Sequence, residues 1–256
     1  MNDYRLLIAY DGTDFAGWQI QHGFVTIQGT IEQALLRITQ EDARVIGAGR
    51  TDAGVHAKGQ VAHFHLAPFW EPSTLLRALN GVLPHTIRIL SVEIAPTGFH
   101  AQRSATKKEY HYHAILDPIM MPFDRLYAWH YRRKVDRDLL SEATKKFIGT
   151  HDFKAFSNSP GVGNGPKTSV RTIYRLDVKD REGGIRFEFE GNGFLYKMVR
   201  NIVGMIMAVA SGRRSIEDIE TVMASRDRSL AEQGAPPQGL FLIHVQYLAK
   251  RPAFVV

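Results

Sequence analysis

GAGRTDAGVHAKGQVAHF, residues 47 to 64, keeps neither a helical nor a strand period along its whole length. Ahead of it, Ala43 to Ala48 carries the β-branched run of a short buried strand. Toward its end, Val61, His63 and His65 alternate with Ala62, Phe64 and Leu66 as a second strand. The centre is a loop shaped by Gly47, Gly49, Gly54 and Gly59, residues that let a backbone turn sharply and let a ligand come close to it. That loop holds one carboxylate, Asp52, flanked by Arg50, Thr51, His56 and Lys58. An isolated Asp-Ala-Gly is most often a plain turn, because Asp caps the amides that follow it. The basic setting argues for more: Arg50 and Lys58 would keep Asp52 ionised and draw polyanions to the loop. A carboxylate so placed can act as a nucleophile or as a base.

Outward from this loop, Arg5 to Tyr10 predicts a strand and DGTDFAGWQIQ, residues 11 to 21, a glycine-punctuated loop. Thr26 can cap a helix whose inner face is Ile27, Ile31, Ala34, Leu35 and Ile38. Leu75, Leu76, Leu79 and Leu83 mark a second helix, and Thr86 to Ala95 a further strand. The order β-α-β-β-α-β is a split βαβ plan, in which helices cover one face of an antiparallel sheet. PTGFHAQRSAT, residues 96 to 106, breaks the periodicity and sets the expected boundary between residues 1–104 and 105–256.

The second unit repeats the type of the first. Lys107 to Leu116 alternates with Tyr110 and Tyr112 on one face, Leu126 to Lys134 is extended and basic, and Asp136 can cap a helix through Ile148. SNSPGVGNGPKT, residues 157 to 168, predicts a mobile loop, and Val170 to Val178 with Ile185 to Glu190 a hairpin. YKMVRNIVGMIMAVAS, residues 196 to 211, is the most apolar helix, so Arg200 in its first turn requires a carboxylate partner. Ile216 to Ala224 adds a short helix, and Leu240 to Leu248 a closing strand. The expected fold is α+β: two split βαβ, RRM-like subdomains whose antiparallel sheets meet in one extended sheet, with helices on one face and a basic cleft between them.

At 256 residues and 44% hydrophobic, the chain can bury a substantial core. The absence of cysteine excludes disulfides, thiolate nucleophiles and zinc ribbons. No apolar run approaches the eighteen or so residues of a membrane span, and the amino terminus enters a strand pattern directly, so a cytoplasmic protein is expected. A net charge of +6 favours an acidic partner without requiring one.

YDGTDFAGWQ at 10–19, GRTDAGVHA at 49–57, GNGFLYKMVRNIVG at 191–204 and APPQGLFL at 235–242 together resemble the tRNA pseudouridine synthase A family, in order and in spacing. The likeness spans nearly the whole chain and is weakest at 117–134 and 157–168. It implies isomerisation of uridine to pseudouridine in the anticodon stem-loop, at positions 38, 39 and 40 of the tRNA, with no cofactor and no metal. It also implies a homodimer with tRNA bridging the subunits. Asp52 matches the family's catalytic aspartate, acting on the base or at the sugar. Tyr110 matches the tyrosine that stacks on the target base, which a base drawn out of its helix requires. Arg200 matches the residue that pairs with the aspartate, and Leu240 would pack against the base pocket. Arg50, Lys58, Lys107, Lys108, Arg132 and Arg133 then offer phosphate contacts.

Two other classes compete on the residues alone. His63 and His65 on one strand face, His56 nearby and the His111–His113 spacing would suit a metal-dependent hydrolase. Split βαβ units with aromatic strands also bind RNA without chemistry, although a carboxylate in a basic loop repels phosphate and helps only catalysis.

Overall fold

Tyr4, Leu6, Ile8 and Tyr10 are buried at every second position of strand β1 (Asn2–Tyr10), the period of a strand with one face in a core. The computed structural model describes residues 2–158 and 168–248. After β1 come α1 (Ile27–Thr39), β2 (Ile46–Gly47), β3 (His56–Leu66), α2 (Pro72–Val82) and β4 (Ile87–Ile94), the expected β-α-β-β-α-β series. The remainder supplies β5 (Ala105–Ile115), β6 (Trp129–His130), α3 (Arg137–Lys145), β7 (Gly149–Asp152), β8 (Val170–Arg181) and β9 (Gly184–Gly191). Helices α4 (Met198–Ala210) and α5 (Glu217–Ser225) and strand β10 (Leu240–Tyr247) follow. The anticipated caps form: Thr26 accepts from the Gly29 amide, and Asp136 from those of Asp138 and Leu139.

These strands make one ten-stranded sheet in the order β4-β1-β3-β10-β5-β9-β8-β7, with β2 on β3 and β6 on β5. Read as β4-β1-β3-β2 and β10-β5-β9-β8, the same split βαβ order occurs twice. The halves join where β10 runs parallel to β3, Phe241 opposite His56 and Leu242 opposite Ala57. Because β1 occupies the other edge of β3, β2 shares this edge further along, pairing Ile46 with His63 and Gly47 with Ala62. The edge of β3 is therefore forked, and the loop carrying Asp52 leaves the sheet at the fork. Gly59 makes the junction possible, since a Cβ there would stand 2.2 Å from the Ile243 carbonyl oxygen.

The fork explains the departures from the sequence reading. The strand expected over 43–48 shrinks to Ile46–Gly47 because the Val45 amide donates to Glu32 instead, while β10 holds the edge of β3 at His56 and Ala57. For the same reason β3 starts at His56, four residues before Gln60. Helix α4 begins at Met198 because Lys197 takes a left-handed conformation, φ 61°. Residues 96–104 serve as a cover on the sheet: Ala101 is fully buried, its amide donates to His63 Nδ1 (3.2 Å), and its carbonyl accepts from the Tyr247 hydroxyl (2.8 Å). Most of the loop expected at 157–168 lies outside the described residues. No helix is long and apolar enough to cross a membrane among the described residues.

Candidate active site

The Asp52 loop is built against the loop that follows β1. The Trp18 amide donates to the Thr51 carbonyl at 3.0 Å, and Trp18, 2% exposed, lies flat against Gly47. Gly17 must be glycine twice over: its φ is +96°, and a Cβ would meet the Thr51 carbonyl oxygen at 2.6 Å. From beneath, three strands hold the loop by polar side chains. The Tyr10 hydroxyl pairs with Thr51 Oγ1 at 2.8 Å, Gln60 Nε2 donates to the Gly49 carbonyl at 2.8 Å, and Lys108 Nζ donates to the Ala48 carbonyl at 2.6 Å. Burial pushes the Tyr10 phenol up to about 12, so it stays a neutral donor.

Asp52 reaches Arg200 from the other half of the sheet. Arg200 Nη1 donates to Asp52 Oδ2 at 2.8 Å, with side-chain exposures of 14% and 12%. The contact is one hydrogen bond rather than a parallel pair, because Arg200 Nε donates to the Ala235 carbonyl at 2.7 Å. Every residue of α4 except Arg200 is buried. The guanidinium thus leaves an apolar helix to bridge the Asp52 loop and the turn before β10. The Ala235 amide returns a bond to the Arg200 carbonyl at 2.9 Å, locking that turn onto the helix.

Above this pair lies a cleft lined by Arg50, Thr51, Asp52, Tyr110, Phe194 and Leu240, among others. Tyr110 and Leu240 are 6% exposed, and Phe194 meets the Tyr110 ring edge-on with centroids 5.2 Å apart. Burial first, with Tyr10 and Asp52 adding, holds the Tyr110 phenol well above its ordinary range. A neutral hydroxyl on a fixed ring, an ion-paired carboxylate and an aliphatic wall can receive a planar, polar ring and do acid–base or nucleophilic work on it.

Four stretches therefore converge here: 10–19, 49–57, 191–204 and 235–242. The family model described as tRNA pseudouridine synthase matches residues 6–102 and 143–248, both sides of the cleft. The chain belongs to that family. Among curated relatives, tRNA pseudouridine synthase A 1 of Protochlamydia amoebophila (strain UWE25) is 54% identical over 248 residues, 96% of this chain and 97% of its own. The protein of the same name from Desulfotalea psychrophila (strain LSv54 / DSM 12343) is 43% identical over 96% of this chain and 100% of its own. tRNA pseudouridine synthase A of Chlamydia muridarum (strain MoPn / Nigg) is 42% identical over 94% and 91%. The synthase is accordingly an isomerase acting on tRNA, and its reaction is tRNA pseudouridylation.

The basic residues singled out in the synthase's sequence divide by position. Arg50 is exposed, lines the cleft and has no ion-pair partner among the described residues. Lys58 is on the opposite side of the fork, in a second groove with His56, Arg88 and Tyr127, its ammonium 5.7 Å over the Phe241 ring. Asp52 thus takes its cation from Arg200. Lys107 pairs with Glu190 at 3.0 Å, while Lys108 faces the Asp52 loop. Arg132 and Arg133 are exposed beyond β6, outside the cleft. Sequence reasoning gave no role to Phe194 or Gln60, and named Thr51 only as a neighbour of Asp52. A signal existed for Gln60, a polar residue at the positions that Ala62 and Phe64 mark as apolar, and fully buried.

The histidines of the hydrolase reading do not assemble around Asp52. His56 accepts from the Gly12 amide (3.1 Å) and donates to the Leu126 carbonyl (3.0 Å), and burial holds its pKa down. His63 accepts from Ala101, and His65 pairs with Asp3. Burial and then Arg181 push His113 down to about 3. Among the described residues the donor atoms of Glu109, His111 and Glu188 come together, but Arg175 reaches Glu188 at 2.9 Å and Glu109 at 3.2 Å, and Arg186 also binds Glu188. Their charge is already matched by guanidinium groups.

Proposed function

We propose that the chain isomerises uridine to pseudouridine in the anticodon arm of tRNA, with Asp52 as the catalytic carboxylate. The observation that carries this reading is the 2.8 Å Arg200–Asp52 pair at the floor of a cleft walled by Tyr110 and Leu240. Uracil must leave C1′, turn, and rejoin through C5, which requires a carboxylate beside a base kept trapped. Asp52 either adds to the base or assists at the sugar. Tyr110 stacks on the target base, Leu240 packs against it, and Arg200 aims the carboxylate. Arg50, Lys58, Lys107, Lys108, Arg132 and Arg133 contact the RNA backbone.

The reading extends to residues 1–104 and 105–256 as the two units, to a cytoplasmic homodimer bridged by tRNA, and to chemistry needing no cofactor or metal. Tritium release from tRNA labelled at uridine C5 tests the function directly, with Asp52→Ala as control. Release by the control at the wild-type rate would overturn it.

Tyr110 offers a separate check. Its ring meets Phe194 edge-on, with centroids 5.2 Å apart. Tyr110→Phe should retain the stacking surface and most tRNA affinity. Tyr110→Ala should lose about 1–3 kcal/mol of base stacking, seen as a collapse in kcat/KM. Unchanged turnover in Tyr110→Ala would reassign the ring to packing.

A further inference from the structure

Lys108 stands two residues before Tyr110 on β5, and its ammonium is tucked beneath the backbone that leads into Arg50 and Asp52. Besides its bond to the Ala48 carbonyl, Nζ is 3.2 Å from where a Cβ on Gly49 would stand. In the sheet Lys108 lies opposite Gly191 of β9, and beyond it Gly193 adjoins Arg171 of β8, whose Nε would be 3.8 Å from a Cβ there. Arg171 uses Nη1 on the carbonyls of Thr168 and Val170, close along its own backbone.

Among the described residues neither cation has a carboxylate partner. Elsewhere on the sheet Lys107 has Glu190, Arg175 and Arg186 have Glu188, and Arg181 has Asp124. No ion pair joins Lys108 or Arg171 to an acid among the described residues, and the stretches outside them, SPGVGNGPK at 159–167 and AKRPAFVV at 249–256, contain neither Asp nor Glu. Among the described residues no carboxylate neutralises the two. Burial and the nearby Arg171 push the Lys108 ammonium down to about 8, and burial lowers Arg171 as well. Two half-buried, mutually repelling cations beside a reaction cleft are stabilised by an anion that arrives from outside.

We propose that Lys108 and Arg171 together bind one backbone phosphate of the tRNA strand entering the Asp52 cleft, so that Lys108 ties this phosphate to the loop carrying Asp52. An ammonium has three donors: one holds the Ala48 carbonyl, leaving two for a phosphate that the guanidinium fork approaches from the β8 side. The proposal rests on the Asp52 cleft as the place where the target uridine reacts. It adds Arg171, which no motif marks, and makes Lys108 a link between binding and loop geometry.

The test measures the equilibrium dissociation constant of tRNA with Asp52→Asn protein, a binding readout that does not require Asp52 to be the catalytic group. In that background Arg171→Gln and Lys108→Met should each weaken binding about tenfold. Each should also lower the slope of log affinity against log salt by about 0.7–0.9, the share of one phosphate. The double variant should lose little more slope than either single, because one phosphate serves both.

The pH response carries a sign. Phosphate favours protonated Lys108, so affinity is full near pH 7 and falls as pH rises through about 8, whereas Lys108→Arg keeps it level. The groups facing Lys108 are the Ala48 carbonyl, Gly49, Tyr110 and Arg171, with uncharged Val245 and Gly191 opposite it in the sheet; Tyr110 titrates well above this window. Wild-type affinity and salt slope in Arg171→Gln would overturn the phosphate pair and leave Lys108 a tether for Ala48.

Discussion

Asp52→Asn should abolish isomerisation, a loss of at least about 10³-fold, while the protein stays folded and still binds tRNA. The amide has the shape of the carboxylate and can still accept the Arg200 Nη1 hydrogen bond now made at 2.8 Å. What disappears is the negative charge, and with it the ability to attack or to take a proton. Binding survives because the groups expected to meet phosphate, Arg50 and Lys108 with Arg171, do not depend on Asp52 for their place. Tritium release and filter binding, measured on the same preparation, separate the two properties. Isomerisation near the wild-type rate in Asp52→Asn would sink the mechanistic reading, whatever the family resemblance implies.

Arg200→Ala is expected to cost both activity and stability. Its guanidinium holds two things at once, the Asp52 carboxylate and the Ala235 carbonyl, and it is itself 14% exposed. Removing it strands a largely buried carboxylate and frees the turn that brings β10 to β3. Breaking such a pair from one side costs about 3 kcal/mol or more, visible as a lowered Tm alongside a fall in kcat. Arg200→Lys should recover only part. The reason is not the loss of a parallel pair of bonds to Asp52, since the structure has one. An ammonium on a flexible stem cannot hold the fixed angle between Asp52 and Ala235 that Nη1 and Nε span. Full activity and an unchanged melting curve in Arg200→Lys would show that charge alone suffices there.

Much of this was legible in the chain. Periodicity located the β-α-β-β-α-β series, the hairpin and the apolar helix, because each element repeats a local pattern over enough residues to stand out. An arginine in the first turn of that helix required a carboxylate on electrostatic grounds, and the four motif stretches supplied the family. The strand expected over 43–48 was legible only in part: Ile46 and Gly47 pair with β3, while the start of that edge is shared with β10 from the far end of the sequence.

Sequence by itself determined the element order, the family and the residue types the chemistry uses, since these depend on local pattern and on motif identity. Tertiary structure alone decided that Arg200 divides its donors between Asp52 and the Ala235 carbonyl, that Lys58 faces another groove, and that Lys108 reaches under the loop carrying Asp52. Each of these follows from the fork on β3, where close backbone approach at Gly59 lets the second half of the sheet join the first. No local pattern specifies such a junction, because its partners are brought together only when the two halves have folded onto one another.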